Sequence, residues 1–157
     1  MTLAINLAKK NKIVHTAHEY AHDAKSESYG LEAAEKLGVP GERVFKTLVV
    51  NVDNHSLVVG VVPVTSMLSM KLIAKAIGVK KATMADQSDV ERSTGYVLGG
   101  VSPLGQKKCL KTVIDSSARN FDTIYVSAGR RGLEIELSPE DLRILVNGVF
   151  NEICQRP

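Results

Sequence analysis

The chain has 157 residues, the length of one ordinary domain, with 44% apolar and 24% charged residues, a balance that excludes disordered and fibrous classes. A formal charge of +3, from 20 basic and 17 acidic residues, tolerates an anionic partner but is too small for a dedicated nucleic-acid coat. Aromatics at 4% with no Trp argue against base stacking as the means of holding a single strand.

Leu3, Ile5, Leu7 and Ala8 recur at helical spacing ahead of Lys9 and Lys10, which predicts an amphipathic N-terminal helix. The same opening lacks the blocks of a secretory leader, and no stretch approaches the ~20 apolar residues of a membrane span. A cytoplasmic protein is expected, acting on neither membrane nor DNA. A strand is expected at residues 13–16, a polar loop at 19–29, and a helix at 31–37 closed by Gly38 with Pro40 beyond. Phe45-Lys46-Thr47-Leu48-Val49-Val50-Asn51-Val52 and Leu57-Val58-Val59-Gly60-Val61-Val62 flank the turn Asp53-Asn54-His55 and read as a hairpin. Ser69 is placed to cap a helix that buries Leu72, Ile73, Ala76 and Ile77 and ends at Gly78.

Further on come a strand at 82–85, a helix with Asp86 as N-cap, and a glycine-rich shaped loop at 95–105. Strands follow at 112–115 and 123–127. The turn Gly129-Arg130-Arg131-Gly132 leads to a strand at 133–137 whose alternation suggests one wet face. Ser138-Pro139-Glu140-Asp141 opens a last helix with a capping hydroxyl, proline at the first helical position and acids in the first turn. These elements make one mixed α/β (α+β) domain over residues 1–157, a central mixed sheet or barrel flanked by helices.

Familiar catalytic signatures are missing: no GxSxG elbow, P-loop, dinucleotide fingerprint or HExxH occurs. Cys109 and Cys154 form no disulfide framework or zinc spacing, and neither has neighbours that would make it a nucleophile. His18, Tyr20 and His22 alternate, so an extended segment would project them from one face, where a structural or substrate-lining role is favoured over a metal. Lys46 stands at the mouth of a central strand beside Phe45. It is either a solvated strand end or a partly desolvated cation aimed at an anion. Gly99-Gly100-Val101-Ser102-Pro103-Leu104-Gly105 is either a tight connection or a backbone cradle for a developing oxyanion. Lysines at 71, 75, 80 and 81 and at 107, 108 and 111 cluster locally, as do Arg130 and Arg131, and solvated faces account for each cluster taken alone.

Together these pieces resemble the YbaK/EbsC family, relatives of the editing domain inserted in bacterial prolyl-tRNA synthetases. The matching residues are His18, Tyr20, His22 and Asp23; Phe45-Lys46-Thr47-Leu48; Met84-Ala85-Asp86; Ser93-Thr94-Gly95-Tyr96; the loop from Gly99 to Lys108; Thr123-Ile124-Tyr125-Val126-Ser127; and Arg131-Gly132-Leu133. The resemblance implies hydrolytic removal of cysteine from tRNA(Pro), with no cofactor and no metal. It makes Lys46 the residue most needed for activity and Tyr20, Tyr29, Thr47, Gly99, Gly100, Ser102, Pro103, Ser127 and Glu134 the substrate-binding positions. Lys46 is assigned to the terminal phosphate or ribose and the Gly99-Gly100 backbone to the acyl group. The implied partners are the acceptor end of tRNA(Pro) and prolyl-tRNA synthetase.

Three positions depart from the family pattern. Ala128 stands between Ser127 and Gly129 where a second glycine is common, Cys109 where a basic residue is common, and Glu134 where Asp is frequent. Ala128 and Glu134 are expected to narrow or reshape the pocket. The rival readings are a broader deacylase for alanine and other small residues, a metal-dependent hydrolase using His18 and His22, and a non-enzymatic RNA-binding adaptor.

Overall fold

A computed structural model describes residues 2–23, 29–53 and 56–156. Part of the expected 19–29 loop and the hairpin turn at Asn54-His55 lie outside the described residues. Helix α1 (Leu3–Lys10) is capped by Thr2, whose hydroxyl accepts from Ile5 N at 3.2 Å, and it buries Ala4, Ile5 and Ala8. Strand β1 (His15–Glu19) starts later than the expected 13–16. The cause is the end of α1, where Asn11, Lys12 and Ile13 donate back to Leu7, Lys9 and Ala8 and Lys12 takes φ 55. That leaves Val14 87% exposed and moves His18 into the strand.

Helix α2 (Tyr29–Leu37) ends at Gly38, and a single 3-10 turn then leads into β2 (Val44–Val52). Strand β3 (Ser56–Pro63) pairs with β2 antiparallel along its length. Helix α3 (Met70–Ile77) carries the Ser69 cap, with Leu72 N donating to the hydroxyl at 3.1 Å, and stops at Gly78 with φ 84. Strand β4 (Ala82–Met84) pairs antiparallel with the end of β2. Helix α4 (Gln87–Thr94) has Asp86 at its N-cap, but that side chain makes no capping bond. Strand β5 (Lys111–Asp115) is followed by β6 (Ile124–Arg130), β7 (Leu133–Leu137) and α5 (Pro139–Val146), which Ser138 caps through Asp141 N. A three-residue strand, β8 (Val149–Asn151), was not expected; it is too short for a sequence period and exists because it pairs in parallel with β5.

The strands form one eight-stranded mixed sheet in the order β1-β7-β6-β2-β3-β5-β8, with β4 attached to β2. Both faces of β2 are covered, which is why its sequence is nearly continuous in apolar residues. Phe45 and Val49 face the main core with Val59, Val61, Val126, Ile135 and the buried stripe of α1. Val50 and Val52 face a second cluster under α3, and Val44 a third under α2 with Tyr125. Among the described residues no helix is long and apolar enough to cross a membrane.

Candidate active site

The site is a break in the sheet. Strand β6 pairs with β2 only at Val44 and Phe45, and β4 only at Val50 to Val52. Among the described residues, 46–49 of β2 therefore have β3 on one side and no strand on the other. Strand β6 is turned away by a bulge between Ser127 and Arg130, with Gly129 at φ 115.

Val64 N donates to Val44 O, which sets the even residues of β2 toward β3 and the odd ones toward the opposite edge. Ala85 N donating to Val49 O at 3.1 Å, on that opposite edge, agrees with this parity. The N–H and C=O of Thr47 thus face the break. Its hydroxyl oxygen is buried and lacks a partner among the described residues.

A cavity of about 330 Å³ occupies the break. On the face beneath α2 it presents a row across adjacent strands. Ser127 on β6 is opposite Glu134 on β7, and Lys46 follows Val44 and Phe45, the β2 partners of Tyr125 and Val126. Tyr20, Tyr29 and Gly99 complete the part of the lining that the sequence indicated. Gly30, Phe45, Leu48, Leu98, Val101, Arg130 and Arg131 also line it and were not among the expected site residues. Arg130 and Arg131 had given a signal as a basic pair, whereas the apolar members gave none that separates a pocket wall from a core.

The glycine-rich loop divides. Gly99 lines the cavity with φ 93, and a Cβ there would lie 2.5 Å from the Tyr29 ring. Gly100, Ser102 and Pro103, also expected at the site, are not among the residues that line the cavity. The Gly100 N–H is engaged by Val97 O at 3.0 Å, so it has no bond left for an acyl group. Ser102 is fully buried and accepts from Leu104 N at 3.2 Å, holding the loop in shape. Ala128, expected to reshape the pocket, has its side chain fully buried in the main core, on the face opposite Ser127. Gly99→Ala is expected to cost about 1–2 kcal/mol of stability from the left-handed backbone alone and to displace Tyr29. Thermal unfolding and deacylation assays should show the lower Tm together with reduced activity.

The electrostatics of the cavity are uneven. Burial lowers the pKa of Lys46, which makes no ion pair with any carboxylate among the described residues. Arg131 stacks 3.9 Å over the Tyr29 ring, and its guanidinium reaches the buried Glu32 at 3.4 Å. Glu134 is 6% exposed, and burial pushes the pKa of its carboxyl up to about 8. Burial first, then the Glu134 carboxylate, raises the Tyr20 phenol. The face of β7 expected to be wet is therefore covered. Its other acid, Glu136, binds His18 at 2.9 Å, Arg43 at 3.1 Å and Thr123.

His18 is held there, 5.2 Å from the Tyr125 ring, and does not line the cavity. His22 lies near Gly132 instead, so the alternating histidines do not meet. Cys154, beside Lys46, is pushed up to about 12 by burial and by Asp115, which keeps it a thiol. Cys109 is exposed. Among the described residues the cavity thus has cations, one buried carboxyl and an unpaired strand edge, but no paired nucleophile and base.

Comparison with known proteins agrees with this architecture. The description of an aminoacyl-tRNA editing domain matches residues 27–145. A protein of Enterococcus faecalis named, provisionally, as the Cys-tRNA(Pro)/Cys-tRNA(Cys) deacylase EbsC is 40% identical over 99% of this chain and 94% of its own. YwhH of Bacillus subtilis, an uncharacterized protein, is 28% identical over 79% of each chain. Among solved structures, a candidate trans-editing enzyme for prolyl-tRNA synthetase superposes with TM-score 0.80 at 18% identity, over 90% of this chain and 87% of that one. The hypothetical protein APE2540 superposes with TM-score 0.86 at 22% identity, over 98% and 99%. These two likenesses carry the fold.

Proposed function

Because this chain belongs to the aminoacyl-tRNA editing domain family, we propose that it deacylates cysteine mischarged on tRNA(Pro), acting in trans in the cytoplasm. The observation that carries the reading is the broken edge of β2. A half-buried Lys46 and the main chain of Thr47, which no described strand pairs, flank a cavity with no paired nucleophile and base among the described residues. A cavity whose described residues offer no activated nucleophile suits a substrate that brings its own. The cysteinyl thiolate attacks its own ester carbonyl; the S–C bond forms, the C–O bond to the ribose breaks, and the ribose oxygen leaves with a proton from solvent. The product is a four-membered cyclic thioester that water opens afterwards.

The protein's contribution is orientation and charge. In this reading Lys46 holds the terminal phosphate or the ribose end, and Thr47 N–H meets the developing oxyanion. Gly99 keeps Tyr29 close over the acyl group. With modest net charge and few aromatics, the chain gains little affinity for RNA by itself. Prolyl-tRNA synthetase is the partner that would select the tRNA, leaving this protein to read the acyl end.

The test is deacylation of Cys-, Ser- and Ala-tRNA(Pro) with EDTA present. Cleavage of Cys-tRNA(Pro) is expected to exceed that of Ser-tRNA(Pro) at least about tenfold, because a thiolate is the better nucleophile at neutral pH. Equal rates for serine and cysteine overturn the thiol route. Cleavage of none of the three overturns the deacylase reading.

A further inference from the structure

Glu134 is unusual among the acids of this chain. It sits mid-strand on β7, only 6% exposed, and no hydrogen bond or ion pair joins its carboxyl to any of the described residues. An acid this buried whose carboxyl has no protein partner is uncommon, because natural proteins normally neutralise or satisfy such a group. Glu136, two residues along on the same face, shows the ordinary solution, with His18, Arg43 and Thr123 all bonded to it. Glu134 faces a cavity instead.

The charges around it are arranged asymmetrically. Arg130 and Arg131 come from the β6–β7 turn, but Arg130 lies 3.7 Å from Glu19, and Arg131 is engaged by Glu32 and the Tyr29 ring. Lys46 projects from β2, on the far side of the break from Ser127 and Glu134. Tyr20 closes in from the end of β1 with a neutral phenol, and His18 on β1 is turned to Glu136. Among the described residues Glu134 is thus the lone acid lining the cavity, whose other charged members are cations.

The geometry points to Glu134 as the receptor for the free α-ammonium group of the aminoacyl ester, with Lys46 holding the opposite, nucleotide end of the same substrate. The inference rests on the deacylase reading and adds a selection rule to it: esters whose α-nitrogen is free are accepted, and esters with a blocked or missing α-nitrogen are refused. N-acylated and peptidyl esters of tRNA belong to the second class, so the site spares the initiator and the growing chain. The raised pKa of the empty site adds a signature. A carboxyl that is mostly neutral when unoccupied must lose its proton when an ammonium docks against it, so binding near pH 7 releases protons.

The experiment uses two stable amide analogues of the substrate end, 3′-cysteinylamino-3′-deoxyadenosine and its 3-mercaptopropionyl counterpart, which differs only by lacking the amine. Calorimetry in two buffers of different ionisation enthalpy reads affinity and proton release together, for the wild type and for Glu134→Gln. The wild type is expected to prefer the amine-bearing analogue by about tenfold or more and to release protons on binding it. The Gln variant should bind the two within about threefold and release none. Equal binding of both analogues by the wild type, binding of neither, or a Gln variant that retains the preference overturns the assignment. Deacylation of Cys-tRNA(Pro), measured in parallel, keeps the two claims separate. Hydrolysis by the wild type with the preference intact in Glu134→Gln leaves the deacylase reading standing and removes the ammonium site. A Glu134-dependent preference without hydrolysis does the reverse.

Discussion

Lys46→Ala is expected to lower deacylation of Cys-tRNA(Pro) by about 10²–10³, the usual loss when one preorganised charge is removed from a developing oxyanion or its leaving group. The fold should not suffer. Lys46 lies on the stretch of β2 that pairs only with β3, and among the described residues it holds no ion pair that its removal would break. Burial lowers its pKa, which means the folded state disfavours its charge. That charge is disfavoured at every pH where the amine is protonated, so deleting it leaves stability unchanged or slightly raised. Unfolding temperature and rate should therefore part company: an inactive protein with a Tm equal to or above that of the wild type. Lys46→Met separates charge from bulk, because it keeps most of the stem and loses the ammonium, and it should be as inactive as the alanine variant. Activity within threefold of wild type in both variants would remove Lys46 from the site. The lowered pKa also gives a direction to the pH profile, since the active cation is lost at a lower pH than an ordinary lysine would lose it.

What the sequence disclosed follows the range of the interactions. The β2–β3 hairpin, the Ser69 and Ser138 caps and the stop at Gly78 depend on neighbours within a few residues, and the structure has each where residue pattern places it. The start of β1 was misplaced because three residues after α1 are bonded back to the helix, a competition that an apolar Ile13-Val14 pair conceals. The cavity itself is a register property. It arises because β6 leaves β2 after Phe45 while β4 joins only at Val50, and nothing local in Lys46-Thr47-Leu48-Val49 records a missing neighbour. The glycine loop shows the same limit. Gly99 and Gly100 are adjacent and identical, yet one faces Tyr29 in the cavity and the other packs on Arg130 with its N–H engaged. Glu134 and Glu136 are the sharpest case. Leu-Glu-Ile-Glu-Leu reads as a strand with a wet face, whereas the fold lays charged and aromatic partners over one glutamate and a cavity over the other.

Glu134→Gln should change the pH dependence of stability more than any other single substitution in the site. The folded carboxyl titrates near pH 8, against an ordinary value of 4.5, with burial as the cause. Below about pH 4 the group is neutral in both states and contributes no pH dependence. Between the two values the unfolded chain has released a proton that the folded chain still holds, so unfolding is favoured progressively as pH rises. Above the folded pKa both states are ionised and the loss is complete. The full span corresponds to roughly 5 kcal/mol at most. Water entering the cavity mouth reduces it, and a difference of about 2–3 kcal/mol, or about 5–10 °C in Tm, is the expected scale. Glutamine keeps the size and the neutral polarity of the protonated acid but cannot ionise. Wild type and variant should therefore unfold at similar temperatures at pH 5 and diverge by pH 8.5, with the wild type the less stable. Every other group's titration is common to both proteins and cancels in the comparison. Parallel curves from pH 5 to 8.5 would mean that the carboxylate already finds a counter-charge in the folded protein, and the cavity would then lack the vacancy that an ammonium group needs. Divergence would show that the fold tolerates an unmatched acid at the site, a liability above neutral pH that a bound cation offsets.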